Sequence, residues 1–332
     1  MTRNMKRYFP LLAALCLLAA CKGGAPLLPS VSGKAGEVLV VMEKAQWDGE
    51  LGDATRGLLA SECPYLAISE PLYSLVNIAP GAFGDIFRVH RNIVLFNIAP
   101  GVDSTCVFYR QDVWAQPQCV VQLNATDGEG ARALLETAGA NILSAIEQAE
   151  RDRVIRNTLL YEEKGIAAAI APVFGGSPHF PSGYKLRKLT DDFAWVADDK
   201  QYTMQDVLIY RYPAAGDGTD FDKDRMLRRR AEMARANVPG MYDNTWMITS
   251  EGFPVSIEYL GYRGRRFAQM RGYWEVENDY MGGPFVSHSF YSPDGSYVIV
   301  AEAFVYSPKF DKRQYLRQVE ALLYSWEWKN GE

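Results

Sequence analysis

The alternation of apolar and polar positions divides the chain into two runs of strands, each closed by a helix. Residues 37–42 (Glu-Val-Leu-Val-Val-Met) form an unbroken apolar run, the pattern of a strand covered on both faces. Residues 47–61 read as a helix, 72–78 as a strand, 83–90 as a short helix with Phe83, Ile86 and Phe87 on one face, and 92–98 as a strand. Two β-like runs at 105–110 and 118–123 then form a hairpin. Asp127 has the chemistry of a helix cap, and Leu134, Leu135, Ile142, Leu143 and Ile146 recur at helical spacing behind it in a helix that runs past Arg156. Pro172, Gly175, Gly176 and Pro178 end the pattern, which places a domain junction at 172–183.

The second half predicts strands at 184–189, 193–198 and 206–212, then a helix over 223–236 introduced by Asp220 and Asp222. Further strands follow at 245–249, 255–262, 265–270, 273–277, 285–291 and 297–306, and Asp311 opens a last helix reaching 328. The fold class is α+β: two mixed sheet-plus-helix halves, an N-terminal domain at 36–172 and a strand-rich C-terminal domain at 184–330. Each half ends in a hairpin, an acidic cap and a helix, so a diverged duplication is the expectation.

The first twenty residues follow a different pattern. Arg3, Lys6 and Arg7 precede an apolar run at 8–20 that is too short to span a bilayer, and small residues then lead to a cysteine. This is a signal peptide, and Leu17, Leu18, Ala19, Ala20 and Cys21 resemble a bacterial lipobox. That resemblance implies cleavage before Cys21, a diacylglycerol on its thiol and an acyl group such as palmitate on its new amine. Two or three acyl chains hold a protein on a membrane without a spanning helix. Residues 21–35, with Gly23, Gly24, Pro26, Pro29 and Gly33, read as a flexible tether.

Composition narrows the function. At 48% hydrophobic and 12% aromatic residues the chain can fill substantial cores and is not a disordered protein. Loss of the leader with its three basic residues takes the formal charge from −5 to −8, which argues against nucleic acid as a partner. Beyond Cys21 the cysteines are Cys63, Cys106 and Cys119, none with zinc-ligand spacing, so neither a metal nor a cofactor is expected. Cys106 and Cys119 lie in the two runs of the predicted hairpin, and an oxidising compartment would permit a disulfide between them.

Three segments carry a family likeness: Ser32-Gly33-Lys34-Ala35-Gly36-Glu37-Val38-Leu39-Val40-Val41-Met42, then Asp279-Tyr280-Met281-Gly282-Gly283-Pro284-Phe285-Val286-Ser287, and Phe304-Val305-Tyr306-Ser307-Pro308-Lys309-Phe310-Asp311-Lys312-Arg313. Together with the lipobox they resemble the Bacteroidota lipoproteins grouped as domain of unknown function 4837, over nearly all of the mature chain. The resemblance implies a cell-envelope address and brings no active-site residues. The segment Cys-Lys-Gly-Gly lacks the acidic pair that marks surface export in some of those lipoproteins, which favours an outer-membrane protein facing the periplasm.

Candidate chemistry is sparse. His90 falls at the C-terminal end of a short helix, where a cation suits the dipole, and His179 falls in the linker. A three-residue turn at Ser292-Pro293-Asp294-Gly295-Ser296 would set His288 opposite Val300 and place it diagonally beside Glu302 on one face, a polar centre for an envelope hydrolase. Ser287 and Ser289 would face away. Arg263, Arg265 and Arg266 gather charge fit for an anionic ligand, and Gly282 and Gly283 form a turn open to close approach of another chain. No triad, metal set or carboxylate dyad is complete. The first reading is therefore a non-catalytic module, held to the membrane through lipidated Cys21, that binds an envelope protein or glycan; the hydrolase at His288 and Glu302 is the second.

Overall fold

The computed structural model of the chain describes residues 27–329, so the expected signal peptide and Cys21 lie outside the described residues. The first sheet has strands β1 (Glu37–Val41), β2 (Ser74–Ile78), β3 (Asn92–Ile98), β4 (Cys106–Gln111) and β5 (Cys119–Ala125) in the order β2-β1-β3-β5-β4. All pair in parallel except β4, which runs antiparallel to β5 along one edge. Helix α1 (Lys44–Trp47) leads into α2 (Glu50–Leu59), and α3 (Asp85–Arg88) is a single turn. The 33-residue α4 (Gly128–Leu160) starts where predicted, with Asp127 Oδ1 accepting from Gly130 N at 2.8 Å. Together α2 and α4 cover one face of the sheet, where Val38, Val40, Val94, Val121 and Leu123 are buried. Phe83, Phe87, Val113 and Trp114 cover the other over Leu39, Val41, Ile93 and Val120, so both faces of the apolar strands are sealed.

The second half consists of α5 (Lys164–Phe174), β6 (Gly176–Ser177), β7 (Lys185–Leu189), β8 (Phe193–Lys200), β9 (Thr203–Pro213), α6 (Lys223–Asn237), β10 (Met247–Thr249), β11 (Ser256–Tyr262), β12 (Arg265–Val276), β13 (Gly282–Tyr291), β14 (Tyr297–Tyr306), α7 (Arg313–Tyr324) and β15 (Glu327–Trp328). Its main sheet is antiparallel, ordered β10-β12-β13-β14-β9-β8-β7, with β11 also on β12, while β6 and β15 pair separately. Helices α5 and α7 cover one face and α6 the other, so β13 and β14 are buried on both sides. Strand β12 runs straight through the position where the sequence pattern suggested a break, because Gly272 admits the Phe285 ring where a Cβ would come within 2.8 Å of it.

The architecture is two α+β bodies, yet not a repeated unit. A mostly parallel five-stranded sheet and an antiparallel eight-stranded one have unrelated strand orders, which removes the duplication. Helix α5 belongs with the second body, since Ile166, Ile170 and Phe174 enter the core beneath that sheet, and the change of core falls within α4 itself, between Ala149 and Val154. Residues 29–32, expected within a flexible tether, are instead docked. Gln116 N donates to Pro29 O at 2.8 Å, Ser32 N to Val89 O at 2.8 Å and Arg91 N to Ser32 O at 3.0 Å, which lays residues 29–32 along the first domain.

The two bodies share polar seams. Glu147 of α4 accepts from Arg317 Nη2 and from Tyr73 Oη, each at 2.6 Å. Glu70 accepts from the backbone nitrogens of Lys312 (2.7 Å) and Arg313 (2.9 Å), which makes a first-domain carboxylate, and not Asp311, the cap of α7.

Candidate functional site

At the junction of the two bodies, the last turns of α4, the β11–β12 turn and the segment after α7 leave a cleft of about 810 Å³. The β11–β12 turn supplies Arg263, Arg265 and Arg266; it is tight because Arg263 (φ 46°) and Gly264 (φ 82°) both adopt the left-handed conformation. Phe290, Trp326 and Trp328 form an aromatic wall, packed edge to face with the Trp326 and Trp328 centroids 5.5 Å apart, and Tyr324 extends it, edge to face with Tyr262 at 5.0 Å. Arg151 of α4 lies over the Tyr324 ring at 3.6 Å, so this wall is cross-braced to the first domain.

Arg265 is the unusual group. Its Nη2 donates to Leu323 O at 3.0 Å, capping the C-terminal end of α7, and its guanidinium lies 4.7 Å over the Phe290 ring. Its Nε has no hydrogen-bond partner, and no carboxylate among the described residues pairs with it. Burial holds its pKa down at about 10, because a low-dielectric surround penalises the charged form. Arg266 is exposed on the rim and Arg263 lies 3.9 Å from Asp152. The cleft therefore has one desolvated cation in its wall and two at its edge.

His179, expected in a linker, is fixed in this wall. Its Nδ1 lies 2.5 Å from Glu162 Oε1, its Nε2 lies 3.1 Å from Glu327 Oε2, and its backbone nitrogen donates to Ser325 Oγ at 2.9 Å. His90 is likewise no helix cap: its ring bridges Asn92 O (3.0 Å) and Glu37 Oε1 (2.8 Å) beneath the docked Gly33.

A second cleft of about 550 Å³ adjoins the first through Ile155, Leu159 and Arg263, and reaches Pro117, Arg153 and Arg156 in the first domain.

The pair His288 and Glu302 is not brought together. Ser292 N bonds Tyr297 O at 2.9 Å, so the turn holds four residues and the register pairs Ser287 with Glu302 and His288 with Ala301. One residue of register change sends alternate side chains to opposite faces. His288 is fully buried under α7, stacked on Phe267 with centroids 4.1 Å apart, and burial pushes its pKa well below the ordinary histidine value. Glu302 is fully buried on the other face, accepting from Arg230 Nη2 (2.7 Å) and Nε (3.0 Å). Ser287 shares the face of Glu302, not of His288.

Gly282 and Gly283 are strand residues. A Cβ on Gly283 would meet Val305 O at 1.9 Å, so the close approach is made by the neighbouring strand and leaves no room for a ligand. Cys106 and Cys119 are free. Their cross-strand partners are Asn124 and Gln111, which puts them five residues apart in register, roughly 17 Å and far beyond disulfide reach. Among the described residues no three His, Cys, Asp or Glu side chains gather as a metal set, and no helix is long and apolar enough to cross a membrane.

Of the expected site residues, the structure thus keeps Arg263, Arg265 and Arg266 together and separates the rest. Tyr262, Tyr324 and Trp326 carry no local signal and His179 reads only as linker, because the cleft gathers them from distant segments; the clustered arginines at 263–266 are the one local signal among these cleft residues.

Comparison with known proteins follows the same division. The family model described as domain of unknown function DUF4837 matches residues 163–325, and the one described as domain of unknown function DUF8532 matches residues 31–159. The DUF4837 likeness is therefore confined to the second body, together with two of the three segments that suggested it, whereas the segment at 32–42 lies in the other match. No curated protein matches the chain. Solved structures with some likeness include the Ran-binding protein Mog1p of Saccharomyces cerevisiae, at 8% identity and a TM-score of 0.31 over 45% of this chain and 88% of that one. A mutant Mog1 gives 9% identity and a TM-score of 0.30 over the same shares. At that level the likeness carries no argument.

Proposed function

We propose that this pair of domains of unknown function is the body of a Bacteroidota cell-envelope lipoprotein, anchored through Cys21 to the outer membrane and facing the periplasm, that acts as a non-catalytic binding module. The observation that carries the binding reading is Arg265: a desolvated guanidinium with no carboxylate partner, in an aromatic cleft rimmed by Arg263 and Arg266. A planar cation over aromatic rings favours a partner that offers an anionic group beside an apolar or sugar face, as an envelope protein or a glycan does. The hydrolase reading has lost its centre, because His288 and Glu302 occupy opposite faces of a sealed sheet.

Crosslinking in intact cells tests the reading. The wild-type chain is expected to capture a specific envelope partner, and Arg266→Glu combined with Tyr262→Ala is expected to lose it at unchanged abundance. Equal capture by both proteins would sink the cleft as the site. The anchor is checked separately by Cys21→Ser, which should abolish acyl labelling and release the body from membranes.

A further inference from the structure

We propose that the end of α4, with Leu159, Leu160 and Tyr161 flanked by Arg156 and Arg263, is a membrane-contact surface that rests on the phosphate headgroups of the bilayer holding the anchor. The proposal rests on the lipidation of Cys21. Three observations carry it.

The first is reach. Pro29, where the backbone joins the first domain at Gln116, is eight residues beyond Cys21. Even fully extended, eight residues span no more than about 29 Å, so the body cannot wander far from the lipid. The docked segment, not the predicted fifteen-residue tether, sets this limit.

The second is position. Gln116 is followed by Pro117, whose carbonyl accepts from Arg153 Nε at 2.9 Å, and Pro117, Arg153, Arg156 and Leu160 line a single cleft. From Arg153 to Leu160 the helix rises about 10 Å. The chain therefore leaves the body for the membrane beside the end of α4.

The third is chemistry. Leu159, Leu160 and Tyr161 are 46%, 68% and 65% exposed, consecutive and at a helix terminus, and Leu27 at the tether end is exposed as well. An apolar ridge flanked by arginines is what an interfacial contact requires: the apolar groups enter the headgroup boundary and the guanidinium groups meet phosphate. Asp112 and Asp152 also line this cleft, so the contact depends on the ridge rather than on net charge. Seated this way, the body turns its arginine-lined cleft toward the bilayer surface, because both clefts share Leu159 and Arg263.

The test places a photo-crosslinking aromatic residue at position 160 of the full-length chain, processed in cells and reconstituted in vesicles of phosphatidylethanolamine and phosphatidylglycerol. Tyr242, exposed in the loop after α6 on the far face of the second sheet, is the control position. Lipid adducts at 160 are expected to exceed those at 242 at least several-fold, and to fall several-fold when Leu159→Ser and Tyr161→Ser are added. Equal lipid adducts at the two positions, indifference to the serine substitutions, or adducts at 160 to protein alone would overturn the proposal. Acyl labelling of the same samples reports on Cys21 independently, so an unlipidated chain counts against the anchor, and a lipidated chain without lipid adducts at 160 counts against the contact surface.

Discussion

Glu302 and Arg230 are both fully enclosed, and each satisfies the other: the carboxylate takes two nitrogens of the guanidinium, which also reaches Thr249 Oγ1 at 2.8 Å and covers the Phe285 ring. Removing one partner strands the other charge in the core. Arg230→Ala should therefore cost about 3–5 kcal/mol in urea unfolding, and the double change Arg230→Met with Glu302→Leu should recover most of it. A single-mutant loss near zero would mean that water reaches the pair. Asp206 has the opposite economy. It is buried with one hydrogen bond, from Trp195 Nε1 at 2.8 Å, and burial pushes its pKa up to about 7. An acid whose pKa is raised on folding destabilises the native state as it ionises, so this group removes stability as pH rises from about 4 to about 7, by up to about 4 kcal/mol. Asp206→Asn, which retains the acceptor, should flatten that slope in unfolding midpoints measured across the range. His288 acts at the acid end: its depressed pKa leaves it neutral in the fold while the unfolded chain gains a proton below about pH 6.5, so stability falls as pH drops past that point.

Among the elements, the β13–β14 hairpin shows how much one turn residue decides. Asp294 accepts from Ser292 Oγ at 2.6 Å, Ser296 Oγ at 2.7 Å and Ser296 N at 3.1 Å, and those bonds hold its carboxyl down at about 2. They stabilise a four-residue turn where the sequence suggested three. The strands themselves were legible, since Val298, Val300 and Phe304 alternate with Ile299, Ala301 and Val305, but both sets are buried, so periodicity could not choose the register. Helix α7 teaches the same lesson at its start. Its existence was readable, but the expected reach to 328 was not kept: the helix stops at Tyr324, Glu327 and Trp328 pair as a strand with β6, and the cap comes from Glu70, 242 residues away from Lys312. Glu70→Ala should lower stability by roughly 1–2 kcal/mol, as loss of a good helix cap does, and Glu70→Gln should cost less; the comparison is made by thermal unfolding.

For the whole molecule, α4 is the shared beam: its first turns cover the parallel sheet and its last turns enter the core of the antiparallel one. Glu150 binds Arg91, Asn92 and Arg153 around it, and Glu147 joins Arg317 to Tyr73. Such a seam should couple the two bodies. A double-mutant cycle on Glu147→Gln and Arg317→Met is expected to show a coupling of about 1–3 kcal/mol, and fluorescence and circular dichroism should report one coincident unfolding transition. Two separate transitions would show that the bodies melt independently.

Some features were determined by the chain alone, because they depend on neighbours in sequence: the α+β class, most strand and helix positions, and the clustered arginines at 263–266. Local composition also suggested a tether through residue 35 and a junction at 172–183, and there tertiary contacts overrode it, docking residues 29–32 and drawing α5 into the second core. Only the tertiary structure decided the parity of β13 against β14, the separation of His288 from Glu302, and the cleft where Arg265 meets Phe290, Tyr324 and Trp326. The reason is physical: when a strand is buried on both faces its pattern no longer distinguishes one face from the other, and a site gathered from five segments has no spacing to read.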